Sequence, residues 1–235
     1  MKRILLIGTT LLVFVALAFA ADFWNTKPYT QWSQGDAARL LTDSPWAKTT
    51  TLRTGLLSSR SGGGPQGVED SRVEPMVQYV VSIGSALPIR QATARMAALA
   101  AKYDKMDPSA KQEFDTRWNQ YLDVKFADII VVGVDFRSND PTKDHQLSSY
   151  FQAQTLDKMK PTTWLLLSKG KKIELKDFAA APHQMQFVFP RPADLAPDAS
   201  FTIVFRHPDV TGQSSQPINS GFSLKTMTFK GALAF

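Results

Sequence analysis

The sequence contains no cysteine. Such a chain forms no disulfide, offers no thiolate nucleophile and cannot hold zinc through sulfur. The fold must therefore be stabilised by burial of apolar side chains, and hydrophobic residues make up 43% of the 235 positions. A chain of this length fits one large or two small domains and can bury a core without covalent cross-links.

The first twenty residues have the three parts of a secretory signal peptide. Two basic residues precede an uncharged run, residues 4–21, which includes the small-x-small tripeptide Ala18-Phe19-Ala20. We expect cleavage between Ala20 and Ala21, and export to the periplasm or the medium. An uncleaved membrane anchor is the alternative, because the run approaches the length that spans a bilayer. Asp22 provides no basic stop-transfer flank, which favours cleavage.

The charge of the mature chain argues against nucleic acid as a partner. Removal of residues 1–20 takes away two basic and no acidic residues, so the formal net charge falls from +6 to +4. A mildly basic surface is not the strong positive footprint that nucleic-acid binding requires. The expected partner is a macromolecule of the cell envelope, with membrane contact limited to the leader or to weak surface binding.

Composition divides the chain into a signal peptide (1–20), an aromatic-rich helix and strand (21–57), a Gly/Ser-rich loop (58–67) and an α+β domain (68–235) that becomes β-rich from about residue 161.

The Gly/Ser-rich loop contains the pattern Gly62-x-Gly64-x-x-Gly67, which resembles a nucleotide-binding motif. Pro65 interrupts it, no helical pattern follows, and acidic residues come next. We therefore predict no cofactor.

The 21–57 segment predicts a short helix packed by aromatic side chains. Ser33 and Asp36 have capping-box spacing, and the helix is expected to end at Asp43-Ser44-Pro45. A strand follows from Thr49. Five aromatic residues lie in this segment: Phe23, Trp24, Tyr29, Trp32 and Trp46. Their burial against a sheet is the favoured interpretation, and an exposed docking or carbohydrate-stacking surface is the alternative.

The middle of the chain predicts a helical hairpin between two strands. Residues 76–83 form a strand expected to be buried on both faces, and residues 126–136 form the most hydrophobic strand of the mature chain. Between them, an apolar stripe beginning at Ile89 predicts one helix, with Arg90 on its surface, and Asp107-Pro108 begins a second. A polar loop over 137–144 and a weaker helix over 145–158 are expected to follow.

Alternating apolar residues over 184–189 and 201–205 predict antiparallel strands with one buried face. The predicted fold class is α+β, with a C-terminal antiparallel β-sandwich-like arrangement, either Ig-like or an open barrel. The helical hairpin is either an insertion between central strands or part of a separate layer.

Two carboxylates are candidate catalytic residues. Asp135 and Asp140 lie on the hydrophobic strand and its exit, near Asp128 and Asp144, and paired carboxylates can hydrolyse a glycosidic polymer. Solvated loop charges are the plainer interpretation.

No local metal motif is predicted, because no two histidines are spaced to share a helix face. His183 and His207 are expected at surface corners, since each adjoins a proline.

Lysines form the densest positive cluster, on a predicted hairpin that turns at Gly170. Displayed together, they can attract anionic lipid head groups or polysaccharide. Alternatively, they only keep an exposed strand edge soluble. The candidate binding residues are Lys169, Lys171, Lys172 and Lys176.

The segment Lys27-Pro28-Tyr29-Thr30-x-Trp32-Ser33, followed by residues 40–46 (LLTDSPW), resembles the N-terminal signature of a family of uncharacterised exported bacterial proteins. The resemblance implies a bacterial envelope setting and transfers no catalytic residues. The function expected is that of a non-enzymatic binding or assembly module of the envelope. An envelope-polymer hydrolase and a binder of anionic lipid or polysaccharide surfaces are the alternatives.

Overall fold

The computed structural model describes residues 23–53, 76–193, 195–209 and 215–234. The helices are α1 (Phe23–Thr26), α2 (Gln34–Thr42), α3 (Leu87–Ala100), α4 (Pro108–Asp123), α5 (Pro141–Gln152) and α6 (Leu156–Met159). The strands are β1 (Ala47–Arg53), β2 (Met76–Ile83), β3 (Ile129–Ser138), β4 (Trp164–Leu167), β5 (Lys172–Glu174), β6 (Asp177–Ala181), β7 (Gln184–Pro190), β8 (Ser200–His207), β9 (Gln216–Ser223), β10 (Thr228–Phe229) and β11 (Ala232–Leu233).

The predicted leader, its cleavage site at Ala20 and Ala21, and the Gly/Ser-rich loop over 58–67 lie outside the described residues. Within the described ranges, no helix is both long enough and apolar enough to cross a bilayer.

The strands form two antiparallel sheets and a small hairpin. One sheet has the order β1-β2-β3-β7-β6, the other has the order β5-β4-β8-β9, and β10 pairs with β11. The predicted α+β class with a sandwich-like antiparallel arrangement is confirmed. Strand β3 occupies the centre of the larger sheet, as its hydrophobicity predicted. Residues 47–138 supply three of the five strands of that sheet, so the sandwich extends beyond the C-terminal part of the chain.

Aromatic side chains join the two sheets. The alternating residues of β7 and β8 are buried as predicted, and they are Met185, Phe187, Phe189, Phe201, Ile203 and Phe205. The Phe205 ring centroid lies 5.3 Å from that of Tyr79 and 5.7 Å from that of Phe187, both on the opposite sheet. Full burial of one such side chain contributes about 1.5–3 kcal/mol, so this layer is a major source of stability.

The N-terminal aromatic residues are largely buried, which confirms the favoured interpretation. Phe23 makes edge-to-face contacts with Trp24 at 5.2 Å and with Trp32 at 5.7 Å, and Trp24 makes one with Trp46 at 5.7 Å. The predicted capping box is present, because the Ser33 hydroxyl accepts from the backbone N–H of Asp36 and the Asp36 carboxylate accepts from that of Ser33. This segment docks α2 against α3 and the first two strands.

Helices α3 and α4 form the predicted hairpin, inserted between the paired neighbours β2 and β3. Asp107 caps α4 by accepting from the backbone N–H of Ala110 at 2.9 Å. The prediction that β2 is buried on both faces is wrong for its first half, where Met76 and Gln78 are exposed. Only the last three residues, Val81 to Ile83, are buried on both faces.

The prediction of a polar loop over residues 137–144 is wrong. Strand β3 continues to Ser138, and the Asp140 side chain caps α5 by accepting from the backbone N–H groups of Thr142 and Lys143. The helix therefore begins at Pro141 and ends at Gln152, and a separate short helix, α6, follows. An Asp followed by a proline in the first helical position is the local signal that the sequence analysis missed.

His207 does not lie at a surface corner. Its side chain is fully buried at the end of β8, with 0% of its surface exposed, and Nδ1 lies 2.7 Å from the Tyr79 hydroxyl of β2. Burial lowers the pKa of His207 to about 4, and the nearby carboxylate of Asp209 opposes this shift. Burial also raises the pKa of Tyr79. The pair is therefore a neutral hydrogen bond across the sandwich.

We predict that the free energy of unfolding falls as the pH drops from about 6.5 to about 4. In this window the unfolded chain binds a proton at His207, whereas the folded chain holds the imidazole neutral. The pKa of a histidine in the unfolded chain is about 6.5 and that of His207 in the folded chain is about 4. This gap corresponds to about 3 kcal/mol in the free energy of unfolding. Urea unfolding between pH 4 and pH 7.5 measures it.

The variant His207→Phe is expected to lose this pH-dependent component, although its stability at pH 7.5 will also change because the bond to Tyr79 is lost. His145→Gln is the matched control, because His145 is exposed on α5. An unchanged pH dependence in His207→Phe would contradict the assignment.

Candidate functional site

The structure gives the two predicted catalytic carboxylates different surroundings. Asp135 is exposed on β3, where it accepts a hydrogen bond at 2.9 Å from the side chain of Gln184. It lines an open cleft of about 370 Å³ on the outer face of the larger sheet, and Asp140 is not among the residues of that cleft. Asp140 instead caps α5. Asp144 accepts from the backbone N–H of Ser138 and lies 3.3 Å from Nδ1 of His183.

The lysine cluster lies on an exposed hairpin, as predicted. Gly170 has a φ of +80° in the turn between β4 and β5, and all four lysines are exposed. The ammonium nitrogen of Lys172 lies 4.2 Å from the ring centroid of Trp164, so this lysine already has an intramolecular cation–π partner.

A different site combines buried positive charge with apolar walls. A pocket of about 640 Å³ lies between the start of α3, the α4–β3 connection and the β10–β11 hairpin. We call it the arginine pocket and define it by Arg90, Arg191, Val124 and Leu233. It is also lined by Ser85, Leu87, Lys125, Phe126, Ala127, Phe229, Ala232 and Ala234.

Arg90 is the centre of the arginine pocket. It is only 6% exposed, and its Nη1 donates to the carbonyl oxygens of Tyr121, Leu122 and Val124 at 2.9, 2.7 and 3.1 Å. These carbonyls belong to the end of α4, where the helix dipole favours a cation. Burial lowers the pKa of the Arg90 guanidinium, and Tyr121 and Asp123 act in the opposite direction.

The buried charge of Arg90 has no carboxylate ion pair within the described ranges, and its Nε donates no hydrogen bond. An aromatic ring covers the guanidinium instead, since its central carbon lies 5.1 Å from the ring centroid of Phe126. A buried cation is normally paired with an anion because the loss of hydration is costly. Arg90 has no anion at ion-pair distance in the part of the chain that the structure describes, and Asp123 acts on it only from a longer range.

Two more cations line the arginine pocket. Arg191 is half-buried, its Nη2 donates to the carbonyl of Phe126 at 3.3 Å, and burial lowers the pKa of its guanidinium. Lys125 is exposed at the rim. None of the described residues that line the pocket is acidic, so the formal charge of the lining is +3; Asp123, outside the lining, is near enough to act on Arg90.

The rim of the arginine pocket is apolar and exposed. Val124 is 42% exposed and Leu233 is 39% exposed, and within the described ranges they are two of the three large hydrophobic residues with such exposure. Leu233 lies on the β10–β11 hairpin, whose turn is held by a 2.8 Å hydrogen bond from the backbone N–H of Lys230 to the Asn25 side chain. A positive floor beneath an apolar rim suits an anion that carries an apolar group.

The sequence analysis placed Arg90 on the surface, and that prediction is wrong. The apolar spacing of α3 predicts one stripe through Ile89 and Ala92, but Ala94 is also buried, so the inner face of α3 is wider. A small residue four positions after Arg90 was the available signal, because residues i and i+4 share a helix face.

We predict that Arg90→Met lowers the free energy of unfolding by about 2–4 kcal/mol, because three carbonyl oxygens at the end of α4 lose their donor. Urea unfolding measures the change. Arg117→Met is the control, since Arg117 is exposed on α4 and stacks on Phe114 at 5.7 Å. Equal effects of the two substitutions would show that Arg90 does not hold the hairpin together.

Comparisons of the chain with protein-family models, with curated proteins and with solved structures returned no match. Within the described ranges, the arginine pocket is the place where buried charge and exposed apolar surface come together.

Proposed function

We propose that this protein is an exported, non-enzymatic binding protein that takes a small amphiphilic anion into the arginine pocket. The observation that carries the proposal is the buried guanidinium of Arg90, which has no carboxylate ion pair among the described residues and lies in a pocket with an exposed apolar rim. The ligand class is a single-chain molecule with a carboxylate or phosphate head group.

The charge of the pocket supports the anionic head group. Arg90 and Arg191 are both partly dehydrated, and guanidinium groups bind carboxylate and phosphate with geometric specificity. Lys125 adds a third positive charge where a ligand would enter. The volume of about 640 Å³ falls within the range of about 300–1,000 Å³ that is typical of small-molecule sites.

The rim supports the apolar tail. A ligand chain lying across Val124 and Leu233 would remove both side chains from water, which contributes about 25 cal/mol for each Å² of apolar surface buried. Leu87 and Phe229 continue the apolar wall inside the pocket. Head and tail would thus contact different parts of one pocket.

The chemistry of the candidate residues supports binding over hydrolysis. Arginine donors and aliphatic contacts hold a ligand without exchanging protons with it, because arginine stays protonated. Asp140 accepts two backbone N–H groups at a helix start, and Asp135 accepts from Gln184. Both carboxylates therefore have structural partners.

The leader supports export, and the resemblance to exported bacterial proteins supports an envelope location. We predict that the chain isolated from its source cells begins at Ala21, as N-terminal sequencing or intact mass will show. The uncleaved chain in the membrane fraction would instead support an anchor. Full-length chain in the soluble cytoplasmic fraction would contradict both.

We predict that decanoate binds saturably at about one molecule per chain, as measured by calorimetry below its micelle concentration. Arg191→Gln should weaken this binding about ten-fold or more, because a hydrogen bond to a charged group is worth about 1.5–3 kcal/mol. Leu233→Ser should weaken it by loss of apolar contact. Lys158→Gln is the control: it removes one positive charge from an exposed site on α6 outside the pocket.

The ligand class will be tested by two further probes. Decyl phosphate should bind like decanoate, and decanol, which has the same chain and no charge, should bind much more weakly. Circular dichroism and thermal unfolding of each variant will separate loss of binding from loss of folding. Equal affinity of Arg191→Gln and Lys158→Gln for decanoate would contradict the proposal.

A further inference from the structure

A second cavity, of about 160 Å³, lies between the turn at Tyr29–Gln31 and the helical hairpin. It shares no residue with the arginine pocket. Four aromatic side chains from three separate segments line it: Tyr29, Tyr103, Phe114 and Trp118. We call it the aromatic cavity. Ala94 and Ala98 line it from α3, and their small side chains leave the space open.

Three of the rings that line the aromatic cavity are in contact with one another. The Phe114 centroid lies 5.3 Å from that of Tyr103 and 5.8 Å from that of Trp118. The face of an aromatic ring carries negative electrostatic potential, so several rings around one space attract a cation.

Carboxylates strengthen this potential. Asp104 and Asp115 both line the cavity, and Arg95 is the basic residue that lines it, so the formal charge of the lining is −1. The Arg95 side chain is directed to the protein itself, since its Nε donates to the carbonyl of Trp32 at 2.6 Å. Asp115 accepts a 2.8 Å hydrogen bond from the Tyr103 hydroxyl.

The same rings already attract cations elsewhere on their surface. The ammonium of Lys111 lies 5.5 Å from the Tyr103 centroid, and the guanidinium of Arg117 lies 5.7 Å from the Phe114 centroid. Neither Lys111 nor Arg117 is among the residues that line the cavity. The rings therefore favour positive charge, and the cavity is a separate place for it.

We propose that the aromatic cavity binds a small quaternary ammonium group, such as the trimethylammonium of choline. Such a group spreads its charge over methyl surfaces that pack on aromatic faces and need no hydrogen-bond acceptors. Tyr29, Tyr103, Phe114 and Trp118 are the aromatic residues that line the cavity, and Asp104 and Asp115 supply the balancing charge. The proposal is independent of the arginine pocket, since the two sites differ in residues and in ligand charge.

The test is a titration of the full chain with tetramethylammonium chloride and with choline chloride, followed by calorimetry and tryptophan fluorescence. The reference titration uses sodium chloride at equal ionic strength. The expected result is saturable binding of both organic cations with no saturation by sodium. Saturation by sodium with the same affinity as tetramethylammonium would overturn the proposal, because it would indicate simple charge attraction.

Variants at Tyr103 distinguish a ring contact from a charge contact. Tyr103→Leu should weaken tetramethylammonium binding about three- to ten-fold, which corresponds to about 0.6–1.4 kcal/mol and lies within the range of a single cation–π contact. Tyr103→Phe keeps the ring and should bind within about two-fold of the natural chain. Equal affinity of the Leu and Phe variants would overturn the role of the ring.

Variants at Asp115 test the charge. Asp115→Asn should weaken binding of the organic cation, and Glu113→Gln is the matched control because Glu113 is exposed on α4 and does not line the cavity. Equal affinities of these two variants would overturn the role of Asp115. Decanoate binding, measured in the same variants, should be unchanged, so failure at one site is distinguishable from failure at the other.

Discussion

Packing of aromatic rings between the two sheets is the interaction on which the rest of the structure depends. Without disulfides, the sandwich is stabilised where Tyr79 and Phe187 of one sheet contact Phe205 of the other. The hydrogen bond between Tyr79 and His207 adds a directional contact at the same layer. The aromatic rings supply buried apolar area. The pair of Tyr79 and His207 fixes how the two sheets are aligned, because the buried Tyr79 hydroxyl must keep its hydrogen-bond partner.

The helical hairpin depends on that sandwich and carries both proposed sites. It leaves the larger sheet after β2 and returns at β3, so its base is fixed by two paired strands. Arg90 ties the start of α3 to the end of α4 at this base, which is where the arginine pocket opens. The aromatic cavity lies further along the same two helices. A single supersecondary unit thus presents a positive pocket and an aromatic, acidic one.

Local signals predicted the parts of the fold that depend on nearby residues. The capping box at Ser33, the proline after Asp107 and the alternation around Phe187 each act within a few positions, and each was found where the sequence indicated. The central strand was predicted because its hydrophobic run requires cover on both faces. The cap at Asp140 has an equally local signal, an Asp directly before a proline at the first helical position.

The arginine pocket and the His207 pair could not be derived in this way. Arg90 donates to carbonyls more than thirty positions away, and His207 pairs with a hydroxyl 128 positions away. Polar residues at such sites look like surface residues until the partner is known, because their burial depends on a contact that no sequence period encodes. The two cavities likewise combine segments that only the tertiary fold brings together.

The bond between Asn25 and the backbone of Lys230 links the two ends of the described fold. Helix α1 is anchored by Phe23 and Trp24 in the aromatic cluster, and the β10–β11 hairpin forms one wall of the arginine pocket. The wall is therefore held in place by the N-terminal helix as well as by its own strands. A change in the position of that helix would therefore shift the hairpin that carries Leu233, because the Asn25 bond joins the two.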